Sequence, residues 1–392
     1  MKKLYLFSSV FLWTTSESGL LFNVMQGSFL RFSLNNKYIN SVCSQWQEIR
    51  NMYVAKFDEE CVDEDFVIFA NTIEEKGLGK VAEENAPIVS IPPYLKIKHE
   101  AGRQLVGGNS REEPVLPCLA KLSIFLGGAS EQEGLLESLY PKTKTARLNV
   151  DNVIRFLSHC NKGYLKRIDL VISEWDHRQI YSFAEGMKDL KGKVRFFFTH
   201  PNPGFRNDIL DRLVADDYAI TQVCPPDMSL KTAAWVPGRS YRLLVRSEIE
   251  TEHWASLLEE AGGVCYDFKP VVDDNLEFFR KNVFLSEEEI LSQKLTKKDI
   301  FRHQALNVNQ FGTLYVFPDG TIHPAVDAPA IGTLEDPVHQ TIVRELVENH
   351  AWRQTRRLME LCKDCLYHDL CPSPSVYERF FGAPGCTCLI QR

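Results

Sequence analysis

The sequence has no apolar run approaching the roughly eighteen residues that a membrane-crossing helix requires, which excludes a spanning segment and predicts a soluble protein. It also lacks an excess of positive charge. Against 45 lysines and arginines stand 52 aspartates and glutamates, for a formal net charge of −7. Nucleic-acid binding depends heavily on neutralising phosphates with basic side chains, so this balance speaks against such a partner. Nor is the chain poor in apolar residues: 44% hydrophobic and 25% charged side chains are ordinary globular values and exclude disorder or fibre. Its 392 residues are enough for two or three hydrophobic cores.

An even disulfide framework is missing as well, because the chain carries eleven cysteines. Six of them, Cys43, Cys61, Cys118, Cys160, Cys224 and Cys265, stand singly in apolar or helical context and read as small buried hydrophobes. The other five all fall at or after position 362, a distribution that suits a metal site better than disulfides and predicts a reducing, cytoplasmic setting. Met1-Lys2-Lys3 followed by Leu4 to Trp13 imitates a secretion signal, which leaves a secreted, disulfide-bearing protein as one alternative. Ser8 and Ser9 interrupt the apolar stretch, however, and Thr14 to Gly19 reads better as a hairpin loop between strands.

Three regions follow one another. Residues 1–95 begin with short strand-like runs, Lys3 to Phe7, Val10 to Thr14, Leu20 to Val24 and Phe29 to Leu34, which predict a small antiparallel sheet. Asn35 or Asn36 caps a helix bearing Ile39, Val42, Cys43, Trp46 and Ile49 at intervals of three and four. A second helix, Val62 to Glu75, carries Phe66, Ala70 and Ile73 and stops at Gly77 and Gly79, and Pro87 to Pro93 reads as a linker. Sheet and helices in this compass make a winged-helix-sized module. Over residues 96–304, apolar strand-length runs (122–126, 167–173, 194–200, 219–224, 241–247 and 263–268) alternate with helical stretches near 150–157, 177–190, 208–215, Lys231, 252–261 and from Asp274. Six such units demand parallel strands, either a partial barrel or a doubly wound sheet, with functional groups at the strand carboxyl ends. Glu174, Asp176 and His177 after the second strand are acid/base candidates, although such residues more often cap the next helix. Ser286 with Glu289 spells a capping box. Residues 305–392 open with a hairpin, Gly312 to Phe317, Pro318-Asp319-Gly320 and Thr321 to Val326, then a long helix from Val338 to Leu358.

The segment after it is the strongest chemical signal. Cys362, Cys365 and Cys371 place three thiols within ten residues, and Cys386 and Cys388 return later, so four thiolates can converge on one metal centre. Iron–sulfur and zinc are not distinguished by spacing. Arg353, Arg356, Arg357 and Lys363 read as cations complementing a helix carboxyl end, and His368 as a solvated histidine or one hydrogen-bonded behind the ligands.

The stretches FGTLYVFPDGTIHPAV, AIGTL and HAWRQTRRLMELCKDCLYHDLCPSPSVYE resemble the carboxyl-terminal SPASM-like region of radical-SAM peptide maturases, and in particular the pseudo-radical-SAM proteins of the GG-Bacteroidales peptide-maturation system. LLFNVMQGSFLRFSLN, DFVIFANTIEEKGLGKV and IPPYLKI are similar to that family's peptide-recognition start, next helix and linker. The resemblance implies an α/β fold: a partial (β/α)6 barrel, degenerate and radical-SAM-like, between an N-terminal winged-helix-like peptide-recognition module and a C-terminal SPASM-like cysteine module. It implies one 4Fe–4S cluster, with zinc as the alternative, on Cys362, Cys365, Cys371 and Cys388, with Cys386 as the rival fourth ligand.

Departures from the family pattern sharpen the expectation. No CxxxCxxC occurs anywhere, so the cluster that binds and cleaves S-adenosylmethionine has no ligands, and Ser173-Glu174-Trp175 replaces a glycine-rich cofactor contact. Gly127-Gly128 reads as a turn. Ala325 and Ser375 stand where further auxiliary ligands are expected. The resemblance therefore implies a non-catalytic accessory with no S-adenosylmethionine, binding a precursor-peptide leader, an active radical-SAM maturase, or both; Leu20 to Val24 and Phe29 to Phe32 are candidate walls for an added strand. The alternative is an electron-transfer or redox protein using the single C-terminal cluster.

Overall fold

The computed structural model describes residues 1–88, 90–93, 115–126, 148–160, 164–172, 177–198, 207–225, 238–261 and 263–386. The N-terminal strands are β1 (Lys2–Leu6), β2 (Val10–Thr14), β3 (Ser18–Asn23) and β4 (Phe29–Ser33). They do not form one sheet. A turn closed by the Val10 N–H on Phe7 O (2.9 Å) redirects the chain after β1. That strand then pairs on both sides with two strands from farther along, β5 (Val54–Phe57) and β6 (Gly79–Glu83), while β2, β3 and β4 form a second antiparallel sheet in sequence order. The stretch from Leu4 to Trp13 is thus woven into two sheets, with Leu4, Leu6, Val10 and Phe11 buried.

Helix α1 (Lys37–Gln47) starts at Asn36, whose side chain accepts from the Tyr38 and Ile39 N–H groups. Ile39, Val42, Cys43 and Trp46 are buried as their spacing requires, but Ile49 lies past the helix end and is exposed. Helix α2 (Glu64–Glu75), capped by Asp63, buries Phe66, Phe69, Ala70 and Ile73 and stops before Gly77, whose φ of +63° is a left-handed turn that a side chain resists. The segment from Pro87 is more than a linker, since buried Ser90 donates to Leu6 O. Alternation along β3 divides its side chains between two cores: Leu21 joins Leu4, Val42, Trp46 and Ile73, whereas Leu20 and Phe22 join Phe11 and Trp13 on the opposite face.

In the middle region β7 (Lys121–Phe125), β8 (Arg167–Ile172), β9 (Val194–Phe198), β10 (Ala219–Cys224), β11 (Ser240–Val245) and β12 (Cys265–Pro270) are parallel neighbours in sequence order. Helices α3 (Val150–His159), α4 (His177–Gly186), α5 (Asn207–Ala215) and α6 (Glu248–Ala261) fall between them. From β7 to β12 each crossover advances one place in the same direction. Strand β13 (Thr313–Val316) adds in parallel beside β7 and continues through the antiparallel β14 (Thr321–His323) and β15 (Gly332–Thr333), giving nine strands among the described residues. Ile124, Leu170, Phe196 and Ile220 pack against the helices, while Phe125, Val171, Phe197, Val223, Leu244, Val271 and Phe317 form one apolar cluster on the inner face. The helix expected near Lys231 and the Gly127-Gly128 turn lie outside the described residues.

After β12 come α7 (Leu276–Asn282), α8 (Glu287–Ser292) and α9 (Lys297–Ala305); Ser286 and Glu289 form the expected capping box on α8. Helix α10 runs from Val338 only to Glu348, ten residues short of the expectation. Asn349 turns left-handed (φ 57°), and the buried Glu345 carboxylate accepts from the N–H groups of His350 (3.2 Å), Ala351 (2.9 Å) and Trp352 (2.6 Å), turning the chain aside. Helix α11 (Val376–Phe381) follows the cysteine segment. Of the six scattered cysteines, Cys43, Cys160 and Cys224 are buried as expected and Cys118 is half-buried, but Cys61 and Cys265 are exposed.

Leu20→Ala, which empties a fully buried position on the face of β3 shared with the cysteine segment, is expected to cost about 3 kcal/mol in urea denaturation, against at most about 0.5 kcal/mol for Arg31→Ala on the surface.

Candidate cysteine centre

Cys362, Cys365 and Cys371 sit on a succession of tight turns that begins with a single 3-10 turn at Arg356–Leu358. The N–H of Cys362 bonds to Met359 O (2.9 Å), that of Cys365 to Cys362 O (3.0 Å) and that of Cys371 to Tyr367 O (2.8 Å). Each turn points its sulfur inward, and all three side chains are buried. A fourth, Cys386, is brought in from the far side of α11 by a parallel bridge to Leu285 and the Leu285 N–H on Gly385 O (3.3 Å). It is 3% exposed and shares a hydrophobic cluster with Cys365 and Cys371. Cys388, the expected fourth ligand, lies outside the described residues.

Cys371 lies within electrostatic reach of the other three sulfurs. Burial pushes the Cys371 thiol far above its ordinary value, Arg356 opposes this, and Cys386, Cys365 and Cys362 raise it further. Burial raises Cys362 too, while Arg356, whose Nη1 lies 3.7 Å from the Cys362 sulfur, favours its thiolate. Arg356 is itself buried. It donates through Nη1 to Glu378 Oε1 (2.7 Å) and through Nε to Pro372 O, and although burial disfavours its charge, Glu378 and then the Cys371 and Cys362 sulfurs hold it protonated. Glu378 in turn accepts from the Ser375 N–H (2.7 Å) in the capping box of α11 and from the Gly385 N–H just before Cys386. The cation is therefore fixed beside the thiols by the element that delivers the fourth sulfur.

These are not the helix-end cations expected from sequence, with one exception: Arg353 donates to Leu346 O (2.7 Å) in the last turn of α10. Arg357 instead binds Asp369, and Lys363 pairs with Glu360 on the surface. His368 is not among the sulfurs; its Nδ1 meets Cys365 O and its Nε2 lies 3.4 Å from Asp369. Asp369 is fully buried and accepts from Trp13 Nε1 on β2 (2.8 Å), from Gln304 Nε2 on α9 (2.9 Å) and from Arg357 Nε (2.7 Å). Burial alone would raise its carboxyl, but Arg357, His368 and Trp13 hold it below the ordinary carboxylate value.

Soft sulfur donors suit zinc or an iron–sulfur cluster, and a fixed guanidinium offsets thiolate charge, so the residue types fit such a group. Among the described residues, no group of three His, Cys, Asp or Glu side chains is placed to hold a metal ion as it stands. Ala325 is buried in the main core and Ser375 caps α11, so both positions that depart from the family pattern have structural work. Glu174 and Asp176 lie outside the described residues, and His177 opens α4. Sequence reasoning missed Asp369 and Glu378. The latter was legible as the fourth residue of Ser375-x-x-Glu378, a capping-box spelling; the former carries no local signal.

No family model matches the chain, and no curated protein sequence matches it. Among solved structures it is similar to Streptococcus suis SuiB bound to the precursor peptide SuiA (9% identity, 99% of this chain and 100% of that chain, TM-score 0.43). It is also similar to SuiB bound to S-adenosylmethionine (9%, 99% and 100%, 0.42) and to anSMEcpe with bound AdoMet and the Cp18Cys peptide (11%, 64% and 88%, 0.41). Similarity at this level assigns no family, activity or ligand to this chain.

Asp369→Asn keeps the shape of the side chain but removes the charge that Arg357 faces; it is expected to destabilise the protein by about 3 kcal/mol in urea denaturation, with Trp13 fluorescence changing in the folded state.

Proposed function

We propose that this chain is a non-catalytic accessory in the maturation of a ribosomally synthesised peptide, holding the precursor leader and docking beside an active radical-SAM maturase. The observation that carries the reading is the absence of any CxxxCxxC in the sequence, which leaves a radical-generating cluster without ligands. The buried apolar cluster on the inner face of the sheet supports it, since Phe125, Val171, Phe197 and Phe317 occupy the strand ends around which a barrel of this kind carries its chemistry. In this reading the sequential parallel sheet is a partial (β/α)6 barrel and residues 1–95 are a winged-helix-like recognition module.

The leader is proposed to add to β4. Strand β3 is central in its sheet and its Leu20 and Phe22 are buried, so Leu20 to Val24 is a core strand and not a wall. Strand β4, like β2, is an outer strand of this sheet among the described residues. The Leu34 N–H bonds to Glu17 O and the Asn23 N–H to Ser28 O, which fixes the ladder phase: Ser28, Leu30, Phe32 and Leu34 face β3, and Phe29, Arg31 and Ser33 direct their N–H and C=O groups outward. An extended peptide meets these groups as a new strand, beside the half-buried Phe29, Leu30 and Phe32. Arg31→Pro removes one outward donor without taking any from the β3 ladder. By fluorescence anisotropy with the leader encoded beside this chain, Arg31→Pro is expected to weaken binding at least about tenfold, and Arg31→Ala about twofold or less; equal affinity for both variants and the wild type would remove the edge-strand reading, and failure to copurify with either a precursor or a maturase would remove the function.

The cysteine centre is proposed to hold one 4Fe–4S cluster or one zinc on Cys362, Cys365 and Cys371, with Cys386 favoured over Cys388 as the fourth ligand because it is buried in the same cluster. Bound there, such a group supplies a cross-link between the turns and the strand that delivers the closing cysteine, and an electron-transfer role if the group is a reducible cluster. Anaerobic purification with iron, sulfide and zinc analysis is expected to give a metal content that Cys386→Ser abolishes and Cys388→Ser leaves in place; about four irons with reversible reduction would promote the electron-transfer alternative.

A further inference from the structure

The inner face of the sheet is not apolar throughout. A cavity of about 400 Å³ extends along it from Lys121, the first residue of β7, to Phe125, the last, and is closed on the far side by the segment around Tyr377. Its volume falls in the range of small-molecule sites. The charges along it do not balance. Lys121 Nζ (3.0 Å) and Arg167 Nε (2.6 Å) share the buried Asp169 carboxylate, and Arg242 is bidentate on Asp267, with Nη2 at 2.6 Å and Nε at 3.1 Å from Oδ2. Lys269 has no carboxylate within ion-pair distance among the described residues; its ammonium lies over the Tyr377 ring, 5.1 Å from the centroid. Among the described residues, the charged side chains lining the cavity are Lys121, Arg242 and Lys269 against the single carboxylate Asp169.

Lys269 is positioned by the alternation of β12. Its register partner is Leu244 on β11, and both turn to the inner face while Tyr266 and Phe268 turn outward. Burial pushes its ammonium down to about 8, Arg242 and Lys121 push the same way, and Asp267 opposes them. A cation held at such cost, with no paired carboxylate among the described residues and an open cavity beside it, is a site prepared for an anion. One unpartnered ammonium and an aromatic wall fit a monoanion with an apolar body; a phosphate asks for more donors.

We propose that this cavity binds a small organic carboxylate, its anionic end against Lys269 and Arg242 and its apolar body against Phe125 and Phe197. The proposal uses a different face of the molecule from the leader-binding edge and stands or falls apart from it. The test is calorimetric titration of the full chain with N-acetyl-L-phenylalanine, with its neutral amide, and with inorganic phosphate. The acid is expected to bind saturably, the amide at least tenfold more weakly, and phosphate more weakly than the acid. Lys269→Met, which keeps an apolar stem against Tyr377, is expected to weaken the acid about tenfold without lowering Tm. For the wild type, affinity falls as pH rises from 7 to 9.5, because Lys269, whose ammonium is pushed down to about 8 by burial, loses its proton across that interval. No binding of the acid, equal binding of acid and amide, a preference for phosphate, indifference to Lys269→Met or a flat pH profile would each overturn the proposal.

Discussion

One carboxylate joins the separate parts of this chain. Asp369 sits at the end of the cysteine turns with no solvent contact, and its partners come from β2, from α9 and from the 3-10 turn that precedes the cysteines. A buried charge is tolerated only when its lone pairs are filled and an opposite charge lies beside it. Arg357 supplies the charge, while Trp13 and Gln304 fill remaining positions on the same oxygens. Because satisfying Asp369 requires the N-terminal sheet, α9 and the cysteine segment to be in place at once, the group specifies how the two ends of the chain meet. Around it, Phe11, Trp13, Leu20 and Phe22 bury the apolar backs of Cys365, Leu366, Tyr367, Leu370 and Cys371. Apolar burial supplies most of the attraction between these parts, and the carboxylate selects one register among the many that burial alone would allow.

The cysteine centre depends on the same arrangement at one remove. Its sulfurs are seated by turns on one side and by the Leu285–Cys386 bridge on the other. Between them the Arg356–Glu378 pair plays a double part: Glu378 both caps α11 and receives the Gly385 N–H, while its arginine faces the Cys362 sulfur. A cation fixed beside buried thiols favours thiolate, the form a metal or cluster requires. Pairing that cation with a glutamate keeps it from being an uncompensated buried charge.

The central sheet divides its labour by position along the strands. Where β/α barrels carry chemistry, at the carboxyl ends, the inner face holds phenylalanines and valines packed together. The Lys121, Arg167 and Asp169 group is set back toward the strand starts, whereas Lys269 stands beside Leu244 of the apolar cluster. The parallel register sets polar beside polar at Ser123 and Asp169 and at Arg242 and Asp267, and polar beside apolar where Arg242 meets Val223 and Lys269 meets Leu244, so the cavity carries charged and apolar walls together.

Much of this architecture was written locally. Parallel strands buried on both faces need continuous apolar runs, and Leu122 to Leu126, Arg167 to Ser173 and Ala219 to Cys224 announce themselves for that reason. Asn36, Ser286 and Gly77 mark helix ends because capping chemistry is decided within three or four residues. Strands β5 and β6 gave no such signal: VAKF and GKVAE are short and charged, and only pairing with β1 makes them strands. The division of the first four strands into two sheets and the seating of Cys386 near other buried sulfurs likewise depend on partners far away in the chain, while the early end of α10 at Glu348 depends on the buried Glu345 carboxylate. Trp13 and Asp369, 356 positions apart, are the clearest case. Sequence by itself determined most of the central strands and the helix caps, the cysteine count and the missing three-cysteine motif, since periodicity, caps and composition are properties of neighbouring residues. Tertiary structure alone decided which charges were paired and which, like Lys269, were left facing a cavity, because a buried charge is satisfied by whatever the folded chain brings within about 3 Å, and nothing in a local stretch of sequence encodes that distance.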